Sequence, residues 1–174
     1  NTISVRFHPT VSLNDQGNIL AIGEIEGINN NKGAVNVFVF DDSINDWKHY
    51  GQQIATPSTG VGFGISVSLN SQGNILTASG MGDSDNKGVV GFYKYNELSL
   101  TWESYGQELY ANNATDLFGN SCSINDDGTI VSVGASGKGC LQIFQSSGSD
   151  YVGIGTLLPT SELDVTGTIQ GRKF

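Results

Sequence analysis

The sequence has little charge, and the charge it has is mostly negative. Of its 174 residues only 14% are charged, with 8 Lys and Arg against 17 Asp and Glu, which gives a net charge of −9. Nucleic acids and anionic membrane surfaces both require clustered basic residues. No run of about 18 apolar residues is present, as a membrane-spanning helix would need. The sequence therefore predicts neither a nucleic acid partner nor membrane insertion.

Histidine is scarce, and the common catalytic motifs are missing. His8 and His49 are the only histidines, and neither has Cys or Asp neighbours at metal-ligand spacing. There is no Gly-x-Ser-x-Gly nucleophile motif and no phosphate-binding loop. Carboxylate pairs suited to glycoside hydrolysis remain open, although pairs such as Asp41-Asp42 fall in predicted turns, where Asp is common. We therefore expect no catalytic residues and a protein that is not an enzyme.

Glycine is abundant, with 24 residues, and a long repeat runs through the chain. The segment Val11-Ser-Leu-Asn-Asp-Gln-Gly-Asn-Ile-Leu20 returns at 67–76 and, more loosely, at 122–131. Self-similarity at a fixed step is the signature of a repeat architecture. Other landmarks keep the same register: Phe7, Phe63 and Phe118; Trp47 and Trp102; Gly33, Gly88 and Gly139. We predict three repeats of about 55 residues (1–56, 57–111 and 112–147), followed by a different segment at 148–174.

Each repeat has the pattern of four short strands. In the second repeat, alternating or apolar stretches predict strands near 65–69, 74–78, 89–95 and 102–109, with a tight glycine turn at 70–73. Four antiparallel strands per repeat are typical of one blade of a β-propeller, and a closed ring needs about 4 to 8 blades. The third repeat lacks the strand that contains the Trp. The prediction is an all-β protein, a partial or fragmentary propeller of four-stranded antiparallel blades, with a short C-terminal β segment. Either further repeats lie upstream in a longer polypeptide, or the units form an open array.

A family resemblance supports this architecture. The stretch Phe63-Gly-Ile-Ser-Val-Ser-Leu-Asn, then Gly73-Asn-Ile-Leu and Lys87-Gly-Val-Val-Gly-Phe-Tyr, resembles FG-GAP-type propeller repeats. Such repeats build the heads of integrin α subunits and many microbial and viral surface proteins. They often carry calcium loops, which this resemblance places at the turn after each first strand. Too few carboxylates stand there, so we predict turns and no metal, with one weak calcium candidate at Asp83 and Asp85.

The two cysteines replace core aliphatic residues of the repeat. Cys122 stands where the other repeats have Val, and Cys140 where they have Ala and Val. We expect them on the first and third strands of one blade, roughly twice 4.8 Å apart and too far for a disulfide. Free thiols favour folding in a reducing cytoplasm, with a later location on a virion surface or outside the cell.

Four aromatic residues recur on the predicted outer strand: Trp47, Tyr50, Trp102 and Tyr105. Such residues either pack one blade against the next or form an exposed sugar-stacking surface. Asn113-Ala-Thr is a glycosylation sequon that matters only if the protein follows a secretory route.

The C-terminal segment matches none of the repeats. Tyr151-Val-Gly-Ile-Gly-Thr, followed by a Pro and by Leu163-Asp-Val-Thr-Gly, resembles a segment of tail-fibre and fibre-like proteins of phages and large DNA viruses. In those proteins it stands at the entry to a trimeric stalk. The segment is too short to bury its own apolar residues, so it requires a partner. The expected contact residues, in a homotrimer or with other virion proteins, are Val152, Ile154, Leu163, Val165 and Ile169.

Together these patterns predict a non-enzymatic structural or attachment protein of a virus particle. It would bind a host surface glycan or protein, or make assembly contacts, and it would need no cofactor. Two alternatives remain: a cellular or bacterial adhesion module that binds glycan or protein, and an extracellular polysaccharide hydrolase on a propeller scaffold.

Overall fold

A computed structural model describes most of the repeat region and part of the C-terminal segment. The described residues are 9–25, 33–55, 62–81, 87–111, 113 and 115–145, together with the backbone of 163–165 and 169–171. All regular elements in these ranges are β-strands. No helix able to cross a membrane occurs in them.

The strands form three antiparallel sheets, one for each repeat. Repeat 1 contains β1 (Thr10–Leu13), β2 (Ile19–Glu24), β3 (Ala34–Asp41) and β4 (Asp46–His49). Repeat 2 contains β5 (Ser66–Leu69), β6 (Ile75–Gly80), β7 (Val89–Asn96), β8 (Thr101–Ser104) and β9 (Leu109–Tyr110). Repeat 3 contains β10 (Phe118–Ile124), β11 (Ile130–Ala135) and β12 (Cys140–Gln145), and two strands of the C-terminal segment follow, β13 (Leu163–Val165) and β14 (Ile169–Gly171). The predicted all-β class and antiparallel pairing are confirmed.

The single fourth strand predicted at 102–109 is in fact two strands. β8 pairs with the C-terminal half of β7, whereas β9 pairs with Val89 and Val90 at its N-terminal end. The chain turns between them at Gly106, whose φ of +84° suits glycine. Repeat 1 is built in the same way, with Gly51 at φ +84° and a bridge from Ile54 back to Val35.

The C-terminal segment supplies the strand that repeat 3 lacks. β13 pairs antiparallel with β12, with Leu141 opposite Val165 and Ile143 opposite Leu163. β14 then pairs with β13. The described backbone of this segment, 163–165 and 169–171, is therefore paired within the same chain.

One asparagine holds the turn after the first strand of every repeat. Asn70 Oδ1 accepts hydrogen bonds from the N–H groups of Asn74 (3.0 Å) and Ile75 (2.9 Å). Asn14 and Asn125 make the same two bonds in the other repeats. The predicted tight turns are confirmed, and these positions, where the family resemblance would place calcium, are occupied by asparagine-braced turns.

Neighbouring sheets pack face to face, always in the same order. We call the face that carries Ile19 and Val35 in repeat 1, and Ile75 and Val90 in repeat 2, the A face. The opposite face, which carries Leu69 and Leu76 in repeat 2, and Ile124 and Val131 in repeat 3, is the B face. One core joins the A face of repeat 1 to the B face of repeat 2, and a second core joins repeats 2 and 3 in the same way. Repeat 2 is thus covered on both faces, and all six residues of β6 are buried.

Hydrogen bonds between repeats follow the same rule. The N–H of Leu69 donates to Ser12 Oγ of repeat 1 at 3.0 Å, and the N–H of Ile124 donates to Ser68 Oγ of repeat 2 at 3.2 Å. Between the turns, Asp15 N–H donates to the Ser71 carbonyl, and Ser71 N–H donates to the carbonyl of Asp126. Equivalent residues make equivalent bonds, so one interface geometry is used twice.

The asparagine turns allow a first prediction. Asn70→Ala removes the acceptor of two N–H groups, one of them in a buried strand, and each unpaired group costs about 1 to 3 kcal/mol. We expect urea unfolding to give a free energy of unfolding lower by about 2 kcal/mol or more. Asn70→Asp, which keeps the acceptor oxygen, should recover most of this loss. Equal losses in both variants would contradict the assigned role of the side-chain oxygen.

Candidate functional site

The recurring tryptophan is a packing residue in repeat 2. Trp102 is 4% exposed, and its indole N–H donates to the Tyr50 carbonyl of repeat 1 at 2.7 Å. The side chain of Gln52 binds the backbone of Trp102 twice, at 2.7 and 2.9 Å. The candidate sugar-stacking residue Trp102 is therefore buried between repeats and is not part of an exposed aromatic surface.

The other three recurring aromatic residues are half-buried. Trp47, on β4, meets Phe40 edge to face at 5.5 Å between ring centroids. Tyr50 stacks on Tyr95 of repeat 2 at 3.8 Å. Tyr105 packs against the core between repeats 2 and 3. These residues do not form one aromatic platform, because each contacts a different neighbour.

An open groove of about 700 Å³ lies at the outer edge where repeats 1 and 2 meet. The β3–β4 hairpin lines one side, including Asp41, Lys48 and His49, and Tyr95 and Leu100 of repeat 2 line the other. Lys48 Nζ lies 2.8 Å from Asp41 Oδ2. Hydrogen bonds from Lys48 and Ser43 hold the pKa of the Asp41 carboxyl well below its ordinary value. This carboxylate is therefore ionised at neutral pH, and the groove is polar on the repeat 1 side.

The outer turn of repeat 2 exposes two leucines beside this groove. Leu98 is 97% exposed and Leu100 is 63% exposed. Leu100 has a left-handed backbone (φ +56°), as does Asn45 (φ +51°) at the equivalent place in repeat 1. Asparagine tolerates this conformation, whereas leucine is strained in it. A strained, exposed, apolar residue at a groove is a reasonable candidate for recognition.

The cysteines stand where the repeat alignment predicts. Cys122 lies on β10 and Cys140 on β12, with β11 between them, and both are free. Burial raises the pKa of the Cys122 thiol above its ordinary value. This thiol is therefore protonated and weakly reactive at neutral pH.

The remaining candidate residues are scattered. Asp83, Asp85 and His8 lie outside the described residues, as do Val152 and Ile154 of the C-terminal segment. Within the described ranges no three His, Cys, Asp or Glu side chains form a group able to hold a metal ion. Asn113 is exposed in the loop before β10. Leu163, Val165 and Ile169 lie on β13 and β14, whose backbones pair within the chain, and the proposed homotrimer contact stays a prediction.

Comparison with known proteins supports the fold alone. No family model and no curated protein matches the sequence. Among solved structures, a candidate 6-phosphogluconolactonase from Bacteroides fragilis is 19% identical, with a TM-score of 0.58 over 95% of this chain and 39% of that chain. A complex of KlAtg21 with the coiled coil of AgAtg16 is 12% identical, with a TM-score of 0.59 over 95% of this chain and 51% of that chain. The chain thus spans about two-fifths to one-half of the length of these structures. The similarity concerns the fold.

The left-handed turn residues give a second prediction. Leu100→Asn should raise the free energy of unfolding by about 1 kcal/mol, because asparagine accepts a positive φ at lower cost than leucine. Asn45→Leu, at the equivalent turn, should lower it by a similar amount. Urea unfolding of the two variants checks both signs. A destabilised Leu100→Asn variant would show instead that the leucine side chain contributes packing that outweighs its backbone strain.

Proposed function

We propose that the chain is a non-enzymatic structural or attachment component of a virus particle. Its repeats would act as blades of a partial propeller and form a rigid platform. The outer hairpin turns would contact a host surface glycan or protein, or another virion protein. One observation carries this proposal: the repeated polar residues hold the array together, whereas the exposed leucines lie in an outer turn whose sequence differs between the repeats.

The repeated polar residues are engaged in structure. Asn14, Asn70 and Asn125 brace three equivalent turns. Ser12 and Ser68 each accept a backbone N–H from the next repeat. A side chain already committed in this way is a poor candidate for chemistry on a substrate, and this supports a scaffold function.

The exposed outer turns differ between the repeats. The β3–β4 turn of repeat 1 exposes Ile44, while the β7–β8 turn of repeat 2 exposes Leu98 and Leu100. Apolar side chains at loop tips are energetically unfavourable in water and are frequent in contact surfaces. They support recognition by the outer edge of the array.

The C-terminal segment supports the assignment to a virus particle. Its sequence resembles fibre-like viral proteins, and its strand β13 pairs directly with β12 of repeat 3. A segment paired to the sheet edge in this way would connect a fibre to the platform through backbone hydrogen bonds as well as through the polypeptide.

Labelling of particles tests this assignment. Antibodies raised against the 174-residue chain should label the surface of purified particles of the virus that encodes it, in immunogold electron microscopy. Labelling of infected-cell lysate with none on purified particles would contradict the proposal. Binding to a glycan array together with that result would favour the adhesion module, and turnover of a polysaccharide that one Asp or Glu substitution abolishes would favour the hydrolase.

A paired substitution tests the recognition surface. The double variant Leu98→Glu with Leu100→Glu should reduce binding of the labelled chain to host cells at least tenfold, because it places two charges on the apolar turn. Ser136→Glu, which adds a charge at the exposed β11–β12 turn of repeat 3, serves as the control and should bind like the wild type. Unchanged binding of the double variant, as measured by flow cytometry, would remove this turn from the recognition surface.

A further inference from the structure

The B face of repeat 1 is exposed along β1, whereas Ile22, which lies opposite Val11 on the same face, is buried. Val11 is 65% exposed, whereas its equivalent Val67 is 7% exposed. Leu13 is 55% exposed, whereas Leu69 is 6% exposed. The difference comes from the neighbour, because Val67 and Leu69 pack on the A face of repeat 1.

The A face of repeat 3 is also more exposed than the A faces of repeats 1 and 2. Ile130 is 38% exposed, whereas the equivalent Ile19 and Ile75 are each 8% exposed. Leu141 is 39% exposed, and the equivalent residues Val35 and Val90 are fully buried. The two ends of the array therefore expose opposite halves of the interface that joins its repeats.

In repeats 2 and 3, a glycine beside the B face lies against an isoleucine from the A face of the preceding repeat. A Cβ atom on Gly73 would lie 2.7 Å from Ile19 Cδ1, and one on Gly128 would lie 2.5 Å from Ile75 Cδ1. The equivalent Gly17 of repeat 1 has no atom within 4 Å of that position. The space beside Gly17 in repeat 1 is therefore empty, and the isoleucine equivalent to Ile19 and Ile75, Ile130 of repeat 3, is exposed.

A second set of equivalent glycines, before the third strand of each repeat, shows the same difference at the repeat 3 end of the array. Cβ atoms on Gly33 and Gly88 would collide with the backbone of Phe63 and Phe118, the phenylalanines of the following repeats. At Gly139, the equivalent position in repeat 3, nothing lies within 4 Å. The end of the array therefore has the backbone shape that receives a following repeat.

The polar groups of the interface match as well. Within the chain, a serine hydroxyl of one repeat accepts the N–H of the next first strand, as Ser12 accepts that of Leu69. At the two ends, the equivalent groups are the exposed Ser123 hydroxyl and the Leu13 N–H. Both the apolar and the polar halves of the repeated interface are thus available on one chain.

We propose that a second copy of this chain docks head to tail, so that the A face of repeat 3 in each copy covers the B face of repeat 1 in the other. This proposal rests on the face-to-face blade arrangement proposed above. An interface of two different faces closes into a ring when its rotation allows, and forms filaments when it does not.

Analytical ultracentrifugation of the 174-residue chain tests the proposal. We expect a concentration-dependent species of twice the 18.4 kDa chain mass. Gly17→Asn should give a monomer, because asparagine accepts the φ of +68° but fills the space that Ile130 would occupy. Gly106→Asn, at an exposed turn of repeat 2 with a φ of +84°, is the matched control and should stay dimeric.

A mixing experiment identifies the two faces. Leu13→Glu damages the B face and Ile130→Glu the A face, so each variant alone should be monomeric. Mixed in equal amounts they should form a heterodimer, because one undamaged A face meets one undamaged B face. Circular dichroism and tryptophan fluorescence of each variant confirm that the monomer is folded.

Four results would overturn the proposal. They are a monomeric wild-type chain at its highest soluble concentration, a mass of three chains, open polymers that grow with concentration, and a dimer that only one of the two face variants disrupts. None of these depends on whether the protein is found on virus particles, so the proposed function is tested separately by antibody labelling.

Discussion

The packing of one A face on the next B face is the interaction on which the rest of this molecule depends. Each sheet on its own is a small, twisted ribbon with apolar residues on both sides. In a repeat protein the stability is approximately a sum of repeat terms and of interfaces between neighbours. Repeat 2 has two such interfaces, and its central strand β6 is fully buried as a result. The serine and turn hydrogen bonds fix the register of these interfaces.

The same constraint explains which features the sequence could predict. The all-β class with antiparallel pairing, the tight glycine turns, and the placement of the cysteines on the first and third strands were all readable because the landmarks return at a fixed step. The turns follow from local chemistry, since Asn70 bonds only to residues within five positions of itself.

Other features depend on contacts between distant residues and could not be read locally. The division of the predicted fourth strand into β8 and β9 depends on which half of β7 each one meets. The pairing of β13 with β12 joins segments with no shared sequence pattern. The sequence left open whether the recurring tryptophan is buried or exposed, for the same reason. Trp102 is buried because residues of repeat 1 cover it, and the sequence of repeat 2 does not indicate that contact.

The proposed recognition function belongs to residues that the repeats do not share. The repeated polar groups hold turns and interfaces, while the outer turns, the groove beside Leu100 and the C-terminal segment vary. The most direct test of the packing account is native-state hydrogen exchange on the chain at dilution. The account predicts that amides of β6 exchange most slowly, because all six residues of this strand are buried between repeats 1 and 3. Slowest exchange in β2 or β11 would contradict it.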